Sequence, residues 1–359
     1  VILDYITTTR VLAIDPLAPD PSVIADAAAV LRAGGLVAFP TETVYGLGAH
    51  ALDAAAVARV FAAKGRPSSD PLIVHLATAG ELASVALDPP QVAADLARRL
   101  WPGPLTLVLR RRPHIPPAVA AGGDTVAVRV PSHPVALALI AAAGAPVVAP
   151  SANLFSRPSP TSAQHVLEDL RGRVDVVLDA GPTAIGVEST VVDLTTDPPA
   201  LLRPGGVPAE VLRALLPGLS YTPRYLAAEE SGAVAPAPGM LLKHYSPRAP
   251  LTLYAGPRAA AIAKMRAEAE RLAAEGRAVG VMAAAEDLAT LAGSGARVAE
   301  LGARDDNAQL AARLFAAMRE LDAAGVDAIL AVAPEREGLG LAVWDRLVRA
   351  AEGRVVMVY

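Results

Sequence analysis

The chain of 359 residues contains no cysteine, which excludes disulfides, thiolate metal centres, iron–sulfur clusters and a cysteine nucleophile and fits a reducing cytosol. A formal net charge of −4 leaves no global basic field for sequence-independent nucleic-acid binding, so any phosphate recognition has to be local. At about 150 residues per domain the length predicts two domains, and only three of the 32 basic residues are lysines, Lys64, Lys243 and Lys264, a scarcity that singles those positions out for attention.

Residues 1–19 lack the basic start, apolar run and small-residue cleavage site of a signal peptide. A helix at 22–33 leads into a strand at 36–39, which ends in Pro40-Thr41-Glu42-Thr43-Val44-Tyr45-Gly46-Leu47-Gly48. Hydroxyls and glycines at a strand end suit close ligand approach, and a plain turn with a satisfied glutamate accounts for the same residues. The next helix, 54–64, stops at Lys64-Gly65-Arg66-Pro67, where glycine supplies a left-handed cap and proline forbids continuation. Its two cations either complement the helix dipole or meet a polyphosphate, arginine as a planar fork and lysine as a point charge.

A strand at 72–76 carries His75, either a satisfied core histidine or a ligand contact. After a helix at 91–100 and a strand at 105–109, the strand 125–130 alternates with period two. Thr125, Ala127 and Arg129 thus share a face of little apolar bulk, where Arg129 needs an anion. The uncharged stretch 134–155 is divided by Gly144, Pro146 and Pro150 into a helix at 134–143 and a strand at 146–149, and reads as buried core, not a membrane span. That strand ends in Pro150-Ser151-Ala152-Asn153, followed by Arg157-Pro158-Ser159-Pro160-Thr161. Ser151 and Asn153 can donate to phosphate oxygens, and Thr161 doubles as a cap for a helix at 162–170. Strands at 174–178, 189–194 and 200–203 and a helix at 208–216 follow. Glu188-Ser189-Thr190 opens one of these strands, and Arg203-Pro204-Gly205-Gly206 closes another.

Irregular alternation up to residue 216 predicts a mixed α/β domain. Periodicity then stops over 217–250, a linker rich in proline, glycine and small residues. From 251 a regular alternation begins, with strands at 251–254, 278–282, 297–301, 328–331 and 355–358 and helices at 258–275, 284–292, 307–324 and 341–351. It predicts a parallel sheet covered on both faces. Ala255-Gly256-Pro257 does not make a dinucleotide-binding turn, and this domain shows no catalytic signature of its own. In the first domain Lys64, Arg66, Arg129 and Arg203 are expected to line a concave face with hydroxyl and amide donors and few partnering carboxylates. That face would bind a nucleotide or related phosphate without a P-loop, and any metal would be Mg²⁺ carried on phosphates, not an ion caged by protein.

Taken in order, the segments PTETVYGLGA, KGRP with PLIVHL, WPGPLT, DTVAVRVP, APSAN with RPSPT, GVEST and LLRPG resemble the L-threonylcarbamoyladenylate synthases, the family built on a YrdC-type domain. The match continues through Pro238-Gly239-Met240 and Lys243-His244-Tyr245-Ser246-Pro247. The resemblance implies an α/β architecture: an N-terminal YrdC-like twisted mixed sheet with a concave basic face (1–216), an interdomain linker or lid (217–250), and a smaller C-terminal Rossmann-like parallel α/β domain (251–359). It implies synthesis of L-threonylcarbamoyl-AMP from L-threonine, bicarbonate or CO₂, and ATP, with release of pyrophosphate. A downstream tRNA threonylcarbamoyl transferase would then use the product to modify adenosine next to the anticodon.

Carried over residue by residue, the resemblance sets L-threonine against Thr41, His75, Arg129 and Ser189, with Arg129 on the carboxylate. ATP falls to Lys64, Arg66, Asp70, Thr125, Ser151, Asn153, Ser159 and Arg203, with Tyr245 closing over the site and Lys64 and Arg66 as the catalytic cations. The family commonly has asparagine at the place of Asp70, whose carboxylate can accept from ribose or adenine groups but repels phosphates. Many members have Ser-Gly where this chain has Ser156-Arg157, so Arg157 is either a further phosphate contact or a solvent-facing residue. Carbamoyltransferases with a related domain carry cysteine-rich zinc fingers, which the absence of cysteine sets aside. The alternative is an RNA-binding module without turnover, against which stand the acidic net charge and the threonine-contact residues. No membrane partner and no strong direct nucleic-acid binding are expected, and the location expected is cytoplasmic.

Overall fold

Local signals start and stop the helices on which the candidate site depends. In the computed structural model, which describes residues 8–223 and 244–359, α1 (Pro21–Arg32) opens where the Asp20 carboxylate accepts from the Ser22 amide. Helix α2 (Ala54–Lys64) opens on Asp53, whose Oδ1 accepts from the amides of Ala55 at 2.8 Å and Ala56 at 3.2 Å. It closes at Gly65, whose φ of 61° is the left-handed cap expected there. Lys64 is therefore the last helical residue, and Arg66 leaves in the direction that Gly65 sets. The short α3 (Leu82–Val85), α4 (Gln91–Leu100), α5 (Pro134–Ala143), α6 (Ala163–Leu170) and α7 (Ala209–Leu215) follow. The uncharged stretch 134–155 begins with α5, and among the described residues no helix is long and apolar enough to cross a membrane.

Ten strands among the described residues join in one mixed sheet. They are β1 (Arg10–Ala13), β2 (Val37–Pro40), β3 (Tyr45–His50), β4 (Ile73–His75), β5 (Leu105–Arg110), β6 (Thr125–Arg129), β7 (Val147–Val148), β8 (Val176–Asp179), β9 (Thr190–Asp193) and β10 (Ala200–Arg203), in the order β1-β8-β2-β3-β7-β4-β6-β5-β9-β10. The expected mixed character holds: β4 lies parallel to β6 and β5 to β9, whereas β5 runs antiparallel to β6 and β3 to β7. The β4–β6 register sets His75 opposite Arg129. Helices α1 and α5 cover part of the sheet, burying Ile24, Ala28, Leu31, Leu139 and Ile140 against Phe39, Val176 and Leu178. Two strands, β1 and β3, have no counterpart in the sequence reading. β3 holds Gly46 and Gly48, residues that strand propensity disfavours, and β1 is an edge strand, paired in the sheet only with β8 and mostly exposed.

Contacts divide the chain into two units. The second comprises residues 244–359 of the described chain together with Ser156–Pro158 and Ile185–Val187. Its sheet contains β11 (Leu251–Ala255), β12 (Val279–Ala283), β13 (Arg297–Glu300), β14 (Ala328–Val332) and β15 (Val355–Met357), all parallel, in the order β13-β12-β14-β11-β15. The parallel α/β expectation holds, with β14 inserted between β11 and β12, where dinucleotide-binding sheets keep their first two strands adjacent. α8 (Arg258–Ala274) packs Met265, Ala269 and Leu272 on Val279, Val281 and Leu330. The alternate positions Leu253, Ile329 and Ala331 are buried as well, so both faces are covered. The helix expected at 284–292 is a 3₁₀ turn at Ala285–Asp287 running into the single turn α9 (Leu288–Leu291). α10 (Asn307–Ala323) and α11 (Gly340–Ala350) complete the unit.

Candidate active site

The loop from β2 to β3 is fastened by its own hydroxyls. Thr41 Oγ1 donates to the Val44 carbonyl at 2.7 Å, and Thr43 Oγ1 lies 2.7 Å from Thr41 Oγ1. Arg129, buried at the end of β6, donates from Nη1 to Thr43 Oγ1 at 3.0 Å and from Nε to the Gly103 carbonyl at 3.2 Å. Because the Thr41 hydroxyl is committed to Val44, donation runs in one direction, from Arg129 to Thr43 to Thr41. The anion that Arg129 needs is supplied within the chain, with Glu42 Oε1 2.7 Å from Nη2.

His75 lies one strand away from Arg129 and is wholly buried. Burial first, and then the Arg129 charge, hold its proton affinity down to about 3, opposed by the contact of Nδ1 with the Ile73 carbonyl at 3.2 Å. A carbonyl can only accept, so Nδ1 carries the hydrogen and Nε2 is left as an acceptor on a neutral ring.

A second group forms around Ser189, which immediately precedes β9. Its Oγ lies 2.7 Å from Thr106 Oγ1, and Arg203 Nη2 donates to the Ser189 carbonyl at 2.9 Å and to Oγ at 3.2 Å. Close approach of the two segments requires Gly205, where an added Cβ would stand 2.3 Å from the Glu188 carbonyl oxygen. Ser159, fully buried, donates to Glu188 Oε1.

The third group surrounds Lys64. Its Nζ donates to the carbonyls of Ser151 and Asn153, the latter at 2.7 Å, and its own carbonyl accepts from the Phe155 amide at 2.8 Å. The same loop is tied to β3: Ala152 N donates to the Tyr45 carbonyl, and Tyr45 N to the Pro160 carbonyl, each at 2.8 Å. Thr41–Val44, Ser151–Asn153 and Ser159–Thr161 thus converge on the start of β3. Arg66 is buried and turned onto its own loop, donating to the Asp70 and Pro71 carbonyls and facing the Asp70 carboxylate at 2.9 Å. Thr125 is half-buried at the opposite end of β6 from Arg129.

Arg66 and Arg129 depart from the expectation of few carboxylate partners. Arg66 pairs with Asp70 and Arg129 with Glu42, because a buried guanidinium lacking an anion costs more than either pairing. Arg157 is half-buried, not solvent-facing, and pairs at 3.2 Å with Asp322 within the second unit. Tyr245, placed in the linker by the sequence reading, is buried in that second unit. Its ring centroid lies 5.3 Å from that of Phe315 and 4.0 Å from that of His244, with the Arg346 guanidinium 5.3 Å away. Pro238-Gly239-Met240 and Lys243 lie outside the described residues. Sequence reasoning passed over Thr43, Thr106 and the pairing role of Glu42. The hydroxyl-rich run 41–43 was the available signal for two of these, whereas nothing local marks Thr106 in its apolar strand.

Residues 29–205 match the family model described as Telomere recombination, and residues 207–352 match that described as Threonylcarbamoyl-AMP synthase, C-terminal domain. The threonylcarbamoyl-AMP synthase of Pyrococcus abyssi is 46% identical over 336 residues, spanning 92% of this chain and 95% of the relative. The chain belongs to the threonylcarbamoyl-AMP synthase family. A second member, from Bacillus subtilis, is 43% identical over 346 residues, spanning 95% of this chain and 96% of its own length. The crystal structure of P. abyssi Sua5 complexed with L-threonine matches with a TM-score of 0.91 at 43% identity, over 98% of this chain and all of that one. Membership makes the chain an enzyme of the nucleotidyltransferase type, with threonylcarbamoyl-AMP synthase activity as the family's defining reaction. In family terms, the three side-chain groups above all belong to the part matched by the first model.

Proposed function

We propose that the first unit makes L-threonylcarbamoyl-AMP from L-threonine, bicarbonate or CO₂, and ATP, releasing pyrophosphate and, where bicarbonate supplies the carbon, water. The observation that carries this reading is the buried Arg129, aimed by Thr43 and Gly103 and set opposite a neutral His75. It offers a fixed guanidinium for the carboxylate that every amino acid carries and an uncharged acceptor for the hydroxyl that distinguishes threonine from an aliphatic amino acid. Support also comes from the related protein crystallised with L-threonine. Thr41 and Ser189 complete the proposed threonine contacts.

ATP is assigned to Lys64, Arg66, Asp70, Thr125, Ser151, Asn153, Ser159 and Arg203, with Tyr245 proposed as a contact from outside the first unit. Mg²⁺ would enter as part of the substrate, held through phosphate oxygens. The threonine amine captures CO₂ as a carbamate, and a carbamate oxygen attacks the α-phosphorus in line with departing pyrophosphate. Little covalent work falls to the protein: orientation and charge neutralisation by Lys64, Arg66 and Arg129 supply the rate. The product would pass to tRNA threonylcarbamoyl transferase proteins in the cytoplasm for modification of adenosine beside the anticodon.

Pyrophosphate release, measured with ATP and bicarbonate and compared among L-threonine, L-serine and no amino acid, tests the proposal. Threonine-dependent release is expected. Tight RNA binding without turnover would replace this reading with that of an RNA-binding module.

A further inference from the structure

Glu42 has a buried carboxylate whose hydrogen-bonding capacity the protein leaves unused. Its side chain is 11% exposed, and Arg129 is its ion-pair partner at 2.7 Å. That pair is close but misaligned: neither Glu42 oxygen receives an oriented hydrogen bond, and Arg129 Nη2 makes none either. The other two guanidinium nitrogens, in contrast, are committed to Gly103 and Thr43. Two acceptor oxygens and one donor nitrogen therefore stand side by side, each with charge nearby but no directed partner.

A buried carboxylate in this condition loses the water it had and regains only Coulomb attraction. The other titratable group under its influence, His133, is no substitute cation. His133 Nδ1 accepts from the Val135 amide at the start of α5, and burial holds the ring below the ordinary histidine range, against the pull of Glu42. What would satisfy both unused groups at once is a ligand with a carboxylate for Arg129 and a donor cation within a few ångströms of it. A lone anion satisfies Arg129 alone and meets the Glu42 charge. An α-amino acid zwitterion satisfies both.

We infer that Glu42 is a specificity-determining residue that accepts from the α-ammonium group of the amino-acid substrate, so that Arg129 and Glu42 together read the zwitterion. The inference rests on the reading that this unit binds L-threonine and adds to it a residue and a selection rule: simple carboxylates and hydroxy acids are refused by Glu42 although Arg129 could hold them. Once the ligand carboxylate takes Nη2, the Glu42 carboxylate keeps its neutralising charge by exchanging the guanidinium for the ammonium.

The test compares L-threonine with (R)-3-hydroxybutanoate, which keeps the carboxylate and hydroxyl but lacks the amine, by calorimetric titration of the full chain and its Glu42→Gln variant. The wild type should favour threonine. In the variant, threonine binding should weaken about 10- to 150-fold, the span of one lost charge-assisted hydrogen bond, while hydroxybutanoate binding stays level or tightens. Glu42→Asp should restore part of the preference. ATP binding, measured on each variant, reports an intact fold. Equal loss of both ligands, or unchanged threonine binding in Glu42→Gln, overturns the inference while leaving the threonine reading in place. Failure of the wild type to bind threonine overturns both.

Discussion

Arg66 holds its loop through the Asp70 and Pro71 carbonyls and faces the Asp70 carboxylate, so its charge is already balanced before any phosphate arrives. Arg66→Ala should cost a charge-assisted pair in the transition state, about 10- to 150-fold in kcat/KM by pyrophosphate release; near-wild-type turnover would remove Arg66 from the ATP site. Asp70→Asn should act in the opposite direction, lowering KM for ATP a few-fold (about 2- to 10-fold), because the amide keeps an acceptor for the proposed ribose or adenine contact and removes the charge that repels phosphates. A raised KM would show that this contact needs the full carboxylate charge. His75 makes a prediction about pH. Its folded value of about 3 lies below the unfolded value of about 6.5, so between these limits the unfolded chain binds the extra proton. Its contribution to stability is complete above the unfolded value and declines as pH falls, by about 1.4 kcal/mol per pH unit, until the folded value is reached. His75→Gln should flatten the acid limb of a plot of Tm against pH, and an unchanged slope would contradict the assignment. The cations, hydroxyls and His75 were legible in the sequence because each interrupts an apolar run at an element's end. Their partners were not, since Glu42 and Arg129 are brought together only by the sheet.

Helix α2 shows what the sequence specifies at the level of an element. Asp53 begins it, Gly65 ends it, and both ends were readable because capping chemistry is local. Asp53→Ala should lower stability by about 0.5–2 kcal/mol in denaturant unfolding, by leaving two first-turn amides without their acceptor. The helices α4 and α5 were equally legible, with α5 bounded by Pro134 and Gly144. β3 was not. Its alternate glycines carry no apolar signal, and they lie against Phe39, where a Cβ at Gly48 would stand 2.8 Å from the ring. The strand forms because β2 and β7 pair with it on either side, a tertiary cause that composition does not record.

For the whole molecule, the net charge of −4 predicts how it meets nucleic acid. Titration with unmodified tRNA at 0.15 M salt should give a dissociation constant weaker than about 10 μM, within the range of sequence-independent contacts. Binding at nanomolar concentration would require a basic surface that the charge balance does not predict. The two-part organisation was readable from the change of rhythm near residue 250, because βα repetition is a property of long stretches. The finer division was not, because Ser156–Pro158 and Ile185–Val187 sit amid motifs of the first unit yet belong to the second, the former through Arg157–Asp322 and the bond from Arg319 to the Pro158 carbonyl at 2.6 Å. These two tripeptides bear on how such a chain can be rearranged. A second unit exchanged between relatives by a single crossover after residue 223 would arrive without the two loop segments it is matched to. Successful chimaeras should therefore be those that transplant three pieces of sequence together, and the constraint should appear in any library of hybrids as linked inheritance across breakpoints distant in the chain.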